Sequence, residues 1–464
     1  KWLPIKPQTD VALILALCTT LLRAQIYDVE FLKKYTVGFD VFSRYLLGDV
    51  DGILKDAKWA ETITSLPARE IEELAKLMTS CKTFLTMGWS LQRAEHGEQP
   101  YNALVALASM LGAVGKEGEG IGLGVGSIGA ISFLMGRKVL PFSWPGLPQG
   151  KNPIKSVIPV ARISDMLLNP GQMYQYNGGC FKYPDIQMIY WAGGNPFHHH
   201  QDINRLLDAW KKPKTIIVNE QFWTATARHA DIVFPINSLL EKNDISLNVY
   251  DHNIAPMRKA LSSFGESKSE YEVFGLLAEY LGFNNDYTEG RDEMEWLDWI
   301  YNEAQKKAEE HGIKIPNFTS FWEKDNFSVA SQLSDVDLYL EKFRRDPIKN
   351  PLGTPSGKIE IFSQTIDSFS YEDCPGHAKW IEKTESIGAG DNEQRWLYLI
   401  SGQPKSRLHS QLDHSAVSKN SKIHNREPIL IHPLTAKKRG IEDGSVVRVY
   451  NRRGACLAGT VFTE

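Results

Sequence analysis

The sequence has no CxxC pair, and its five cysteines, at positions 18, 81, 180, 374 and 456, stand far apart. Zinc ribbons and cysteine-held iron–sulfur clusters need closely spaced ligands, so both lose support. A disulfide framework belongs to small secreted domains rather than a chain of 464 residues. The scattered thiols read as small buried hydrophobes. Excess charge is absent too: 52 Lys and Arg stand against 56 Asp and Glu, a net charge of −4. That balance leaves no electrostatic footprint for nucleic acid or an anionic membrane surface. Long apolar runs are missing. The run Val11 to Leu22, interrupted by Cys18, Thr19 and Thr20, is shorter than the roughly 20 residues of a membrane span. It reads as a buried helix capped near Thr9 or Asp10, and no transmembrane segment is expected. No charged n-region or cleavage site precedes it, and the far end, CLAGTVFTE, stops in what reads as a strand. Both ends read as cuts through a longer protein, with any targeting signal outside the sequence.

What is present is an ordinary globular composition, 42% hydrophobic and 23% charged, long enough for two to four domains. TFLTM (83–87) reads as a strand, followed by a glycine turn and a helix from about Pro100. IQMIYW (186–191), a helix over about Asp202–Trp210, TIIVN (215–219) and ADIVF complete a second block of the same kind. Strands alternating with helical patterns predict βαβ units and a parallel sheet, with ligands at the carboxyl ends of the strands. From about 286 to 350 acidic and aromatic residues dominate; Leu297, Ile300, Tyr301, Ala304 and Ala308 keep helical spacing. WLYLIS then opens a last unit of short strands, PILI, VVRVYN and CLAGTVF, around a short helix at Leu434–Arg439, a pattern of a small β-barrel. The expected fold is α/β, with two related doubly wound domains at 1–137 and 138–285, an acidic and aromatic connection at 286–385, and a C-terminal barrel at 386–464.

Six segments carry candidate chemistry. GEGIGLGVGSIG (118–129) holds Gly124, Gly126 and Gly129 at GxGxxG spacing. A helix is expected just before it where the dinucleotide fingerprint needs a strand, so a connecting loop is preferred over NAD binding. WAGGNPFHHHQD (191–202) puts two glycines and Asn195 ahead of a helix N-terminus suited to an anion. Its three adjacent histidines point about 100° apart and cannot converge on one ion; His198 and His200 read as local packing, and His199 as facing a ligand with Asn195. In NEQFWTATARHADIVFP the carboxylate Glu220, beside Asn219, suits a ribose hydroxyl or a purine N–H. Arg228, His229 and Asp231 are open between a polar cluster and a site. Lys242 in LLEKND suits phosphate; Ser269 and Glu272 match a capping box, which leaves Glu270 free. In GWSLQRAEHGEQP, Arg93 is a fixed fork for phosphate or a polar heterocycle. Glu95, His96 and Glu98 have no serine or cysteine nucleophile motif beside them and read as hydrogen-bonding groups. SGQPKSRLHSQ (401–411) is rich in donors.

Taken in order, GWSLQRAEHGEQPY, YWAGGNPFHHHQD, WTATARHADIVFP, LEKND, TPSGKIEIFS and SGQPKSRLHSQ resemble the molybdopterin oxidoreductases of the dimethyl sulfoxide reductase family. Within it the chain is most similar to the biotin sulfoxide, dimethyl sulfoxide and trimethylamine N-oxide reductases, from PQTDVAL (7–13) onward. The resemblance implies a molybdenum atom held by two molybdopterin guanine dinucleotides, bis(molybdopterin guanine dinucleotide) molybdenum, with no iron–sulfur cluster in this part. It implies that Gln8, Thr9 and Asp10 make a nucleotide contact, and that Trp89 and Arg93 lie near pterin and metal. Asn195, His199, Asn219, Glu220, Lys242 and Glu270 would form the second domain's pocket. Ser401, Gly402, Gln403, Arg407, His409, Ser410 and Gln411 would be barrel contacts to the pterins.

The implied activity is oxygen-atom transfer from a small S-oxide or N-oxide, of the kind used in anaerobic respiration. The implied donor is a cytochrome-type protein or a reduced nicotinamide system, and neither nucleic acid nor membrane is an expected partner. The metal-ligating serine of this group lies N-terminal to PQTD, so no metal ligand or catalytic residue is assigned and the segment is expected to be inactive alone. A bacterial periplasm is the first expectation for location, the cytoplasm the second. Three alternatives stay open: a metal-free nucleotide-binding relative, another molybdopterin oxidoreductase, and an NAD-dependent dehydrogenase using the 118–129 glycines.

Overall fold

The computed structural model describes residues 1–123, 140–247, 252–333, 338–385 and 396–464. They fall into two compact units. One gathers Lys1–Gly146, Ser246–Pro256 and Ile300–Ile400; the other gathers Leu147–Ile245, Met257–Trp299 and Ser401–Glu464.

The first unit is organised around α1 (Asp10–Ala24), the helix expected at Val11–Leu22. Nine of its residues are buried, including Ile14, Leu15, Leu17, Cys18 and Leu21, so it is covered nearly all round, as a helix without a polar face must be. The Thr19 hydroxyl donates to the Leu15 carbonyl at 2.9 Å, which satisfies a buried polar group inside the helix. Chain order then runs α2 (Val29–Tyr35), β1 (Thr36–Val37), α3 (Phe39–Leu46), α4 (Ala57–Thr64), α5 (Ala68–Ser80), β2 (Phe84–Met87), α6 (Gln99–Met110) and β3 (Gly120–Leu123). Helices α3, α4, α5 and α6 all pack on α1, sharing Phe42, Tyr45, Ala60, Ile71 and Leu107 in one apolar cluster. Each large side chain buried there contributes on the order of 1.5–3 kcal/mol.

Strands β2 and β3 pair in parallel, Phe84 with Gly120 through Met87 with Leu123, with α6 between them in sequence. This corrects the sequence reading, in which a helix led directly into the glycine run. Glycines 120 and 122 form a strand because the ladder asks only for backbone groups, which β2 supplies. Gly124, Gly126 and Gly129 lie outside the described residues.

In the second unit β4 (Met173–Tyr176) and β5 (Gly179–Lys182) form a hairpin. Strands β6 (Met188–Ala192), β7 (Thr215–Glu220) and β8 (Ile232–Pro235) form a parallel sheet in that order. Helix α7 (Ile203–Trp210) connects β6 to β7; Asp202, at φ +49°, caps it by accepting from the Arg205 N–H at 3.3 Å. Its buried residues Leu206, Ala209 and Trp210 pack with Ile216, Val218 and Phe197. Helix α8 (Glu270–Tyr280) begins with the expected capping box of Ser269 and Glu272. The C-terminal residues form a three-stranded sheet ordered β9 (Pro428–Ile431), β11 (Gly454–Phe462), β10 (Val446–Asn451), parallel on one side and antiparallel on the other.

Three further expectations meet the structure. The acidic helix spans Glu293–Glu310; Leu297, Tyr301, Ala304 and Ala308 are buried and Ile300 half-buried, the stripe that the spacing predicted. The strand expected at WLYLIS is not formed. Residues 396–400 have no regular structure and expose Trp396, Leu397, Leu399 and Ile400; among the described residues no strand offers them a ladder. The thiols were expected to be buried; Cys18 is, but Cys81, Cys180 and Cys456 are exposed, each at an element end or on a strand's open face. Among the described residues no single helix is long and apolar enough to cross a membrane.

Candidate functional site

The register of β6, β7 and β8 aligns Ala192 with Asn219 and Asn219 with Phe234. Glu220 therefore ends β7 beside the loop after β6, which carries Asn195 and His199, and Lys242 follows in the loop after β8. Gly193 and Gly194 take φ of +79° and +82° in succession, a conformation L side chains rarely adopt. Nothing lies within 4 Å of the position a Cβ would take at Gly193, so the backbone there is open to a close approach. The Trp191 indole N–H donates to the Gly194 carbonyl at 3.1 Å and fixes the turn.

Asn195 is 3% exposed and does not face open space. Its Oδ1 accepts from the Thr226 N–H at 3.2 Å and from the Thr226 hydroxyl, tying the loop after β6 to the loop after β7. Asn219 is equally buried. Its Oδ1 accepts from the Tyr190 hydroxyl at 3.0 Å, while its Nδ2 has no hydrogen-bond partner. Burial pushes the Tyr190 phenol up, against the Asn219 hydrogen bond. Glu220 turns back on its own loop, accepting from the Gln221 N–H at 2.8 Å and the Thr224 hydroxyl at 3.1 Å. Lys242 Nζ donates to Glu270 Oε2 at 3.0 Å, so the glutamate freed by the capping box meets the candidate phosphate ligand.

The polar cluster left open in the sequence resolves into backbone supports. Arg228 donates to the Trp223 carbonyl, His229 Nδ1 lies 2.7 Å from the Ala225 carbonyl, and Asp231 accepts from the Ile216 N–H. The His199 ring lies 5.5 Å from His200 and 5.5 Å from His409. Burial and then the Arg407 charge hold the His198 imidazole below its ordinary range; burial alone does so for His200. Among the described residues no three His, Cys, Asp or Glu side chains form a group that would hold a metal ion.

In the 401–411 segment Ser401, Gly402, Gln403, His409 and Gln411 are exposed and Ser410 is half-buried. Gln403 donates to the Arg407 carbonyl at 2.9 Å. The Arg407 side chain is 8% exposed, held between Asp413 and Glu427.

In the first unit, Gln8 at φ +65° turns the chain into the N-terminus of α1, and the Thr9 hydroxyl donates to the Lys6 carbonyl at 2.6 Å. Burial raises the Asp10 carboxyl against its own backbone hydrogen bond and the Lys383 charge. Trp89 opens, and Arg93 closes, the short turn of 3-10 helix after β2; both are exposed, and Arg93 makes no hydrogen bond or ion pair with a described residue. Glu95 is a clamp. Its Oε2 accepts from the Thr384 N–H at 2.8 Å, its Oε1 from the Thr384 hydroxyl, and its carbonyl from Lys383 Nζ. Burial would raise the Glu95 carboxyl, but the Thr384 bonds and the His96 and Lys383 charges outweigh it and hold the group low.

Sequence reasoning missed Thr224, Thr226, Asp413, Lys422, Glu427, Lys383 and Thr384. Thr224 and Thr226 stood inside a motif from which only the large and charged residues were taken. The others lie outside every motif and pair with motif residues through the fold.

Loops at the carboxyl ends of parallel strands are where α/β proteins bind ligands. The family model described as Molybdopterin oxidoreductase matches residues 1–280, and that described as Molydopterin dinucleotide binding domain matches 397–464. The chain belongs to the molybdopterin oxidoreductase family. It is 44% identical to a biotin sulfoxide reductase of Cereibacter sphaeroides, over 100% of this chain and 61% of that protein. It is 45% identical to a dimethyl sulfoxide/trimethylamine N-oxide reductase of the same organism, over 99% of this chain and 57% of the relative. A trimethylamine-N-oxide reductase of Haemophilus influenzae is 43% identical, over 100% of this chain and 58% of the relative. The chain thus spans about three fifths of the length of these relatives. Acetylene hydratase from Pelobacter acetylenicus shares the fold, with a TM-score of 0.68 at 17% identity over 100% of this chain and 62% of that one.

Proposed function

We propose that this chain is the greater part of a molybdenum-dependent reductase of S-oxides or N-oxides. The observation that carries the reading is the identity of 43–45% along essentially the whole chain to reductases named for biotin sulfoxide, dimethyl sulfoxide and trimethylamine N-oxide. The residues present suit a paired molybdopterin guanine dinucleotide. The open Gly193 backbone, the exposed Arg93, Glu220 at the end of β7 and Lys242 in the loop after β8 are groups that fit pyrophosphate, ribose and guanine. The finer architecture belongs to this proposal: two related nucleotide-binding domains, with the β9–β11 sheet as part of a barrel over the pterins.

The bound cofactor supplies two-electron oxygen-atom transfer: with two electrons and two protons, a sulfoxide becomes the sulfide and water, and an N-oxide the amine and water. The chain's own part is to bind and orient. Arg93 offers a rigid charged fork at the end of β2; Asn195 and Thr226 lock two strand-end loops to each other; the Glu95–Thr384 clamp fixes the loop behind Arg93. Hydrogen bonds to the cofactor from Trp89 and from the 401–411 segment would tune its potential. A cytochrome-type protein or a reduced nicotinamide system would return the electrons. The periplasm is the proposed location.

The test is made on the full-length protein. We expect about one molybdenum by elemental mass spectrometry, two acid-released guanine nucleotides per chain, and oxidation of a reduced viologen dye on adding one of the three oxides. Neither metal nor nucleotide would overturn the reading in favour of a metal-free relative.

A further inference from the structure

We infer that Arg407 is a positioning residue, an internal strut of the 401–412 loop, rather than a phosphate ligand. The inference rests on the cofactor reading above and refines it. The guanidinium already has a partner in each direction. Nη2 lies 3.3 Å from Glu427 Oε2, and Nε lies 3.4 Å from Asp413 Oδ1, an ion pair by distance though not a hydrogen bond. Nη1 donates to the His409 carbonyl and to His198 Nε2, the latter at 3.1 Å. Lys422 Nζ lies 2.8 Å from Asp413 and 3.4 Å from Glu427. Two cations and two carboxylates thus make a cluster of zero formal charge.

A phosphate taken by Arg407 would leave the Asp413 and Glu427 carboxylates to Lys422 alone and set a third anion beside them. The loop needs the support. His409 and Leu412 hold φ of +49° and +64°, strained for residues with a Cβ and maintained only where neighbours impose it. Arg407 supplies that from inside, by holding the His409 carbonyl and, through His198, the turn that follows Asn195. Only a planar fork reaches these partners together; a lysine keeps the charge but reaches one of them.

The experiment compares Arg407→Lys, Glu427→Gln and, as a control on an exposed pair, Lys211→Met (Lys211 Nζ lies 2.8 Å from Asp208). All are made in the full-length protein, with cofactor and stripped of it. In the stripped protein we expect amide hydrogen exchange over 408–412 to accelerate at least tenfold in the first two variants and not in the third. In the loaded protein the same two should shift the visible absorption of the bound cofactor and lower kcat about tenfold with KM within twofold, at unchanged guanine nucleotide content. If Arg407→Lys matches the parent in exchange and spectrum, or loses guanine nucleotide instead, Arg407 is a charge contact and the inference is overturned. If exchange accelerates while spectrum and kcat stay fixed, the strut is merely structural and the inference is again overturned. A parent protein without molybdenum or nucleotide would overturn the function and with it the cofactor-facing half, while the exchange data still decide the strut.

Discussion

Two sets of candidate residues, one from each unit, are held in opposite ways. In the first, Trp89 and Arg93 stand exposed at the end of β2, and Arg93 has no partner among the described residues. In the second, Asn195 and Asn219 are buried and hydrogen-bonded, Lys242 is paired with Glu270, and Arg407 is enclosed by carboxylates. A motif scores all of these alike. Physically they differ: an unpaired exposed cation can meet a ligand without breaking anything, whereas an engaged buried amide holds the loops that the ligand will touch. The comparison assigns contact to Trp89 and Arg93 and support to Asn195, Asn219 and Arg407, with Lys242 between the two.

The largest effect should come from the support set. Asn195→Ala removes the acceptor for the Thr226 N–H and hydroxyl in a buried setting, and an unmet buried donor costs roughly 1–3 kcal/mol. We expect a loss of about 2 kcal/mol in urea unfolding of the cofactor-free protein, with guanine nucleotide content falling as a consequence. Arg93→Ala should do the reverse. Its stability should stay within about 0.5 kcal/mol, as for surface changes in general, while guanine nucleotide content falls several-fold. Equal stability losses in the two variants would erase the distinction.

A smaller effect sharpens the intermediate case. Lys242 and Glu270 are a partly exposed pair at 3.0 Å, a class worth about 0–1 kcal/mol. Glu270→Gln should therefore change stability by less than about 1 kcal/mol. If Glu270 only holds Lys242 back, nucleotide content should stay level or rise; if it also binds guanine, content should fall. Nucleotide analysis separates the two.

Much of this was legible in the sequence for a clear reason. Alternation of strands and helices, the Ser269 capping box and the largely apolar α1 are local patterns, and local patterns decide local structure. The strand-end position of Asn195, Asn219 and Glu220 followed from them. What was not legible depends on partners distant in sequence. The Glu95 carboxylate read as an open hydrogen-bonding group until Thr384, nearly three hundred residues on, closed it. Arg407 reads from its motif as a cofactor contact, and the Asp413 and Glu427 carboxylates that engage its guanidinium lie outside every motif. WLYLIS has the composition of a strand, but a strand exists only where another supplies its hydrogen bonds. The glycine run failed in the opposite direction: β2 made a strand of residues whose intrinsic preference is against one.

The smallest expected effect tests the support set by pH. His198 accepts from Arg407 on Nε2, which requires the neutral ring, and burial followed by the Arg407 charge holds its affinity for a proton below that of a free histidine. Asp413, Glu427 and His409 also face it, the carboxylates favouring the charged ring and His409 opposing it. A depressed histidine means that the unfolded chain binds more protons than the folded one. The penalty is absent above the ordinary value of about 6.5 and grows as pH falls through it. The depressed carboxyl of Asp413 acts in a separate window. Burial works against its ionisation, the Lys422 bond and the Lys422 and Arg407 charges outweigh burial, and its contribution is lost only as pH drops below about 4. Between those limits, unfolding of the cofactor-free parent should become easier with falling pH, by a fraction of a kcal/mol. His198→Gln, which keeps an acceptor oxygen and removes the titration, should flatten that slope; the His200 contribution, also depressed by burial, would remain. An unchanged slope in His198→Gln would mean that Arg407 tolerates a charged neighbour, and that the loop after β6 does not depend on the neutral ring.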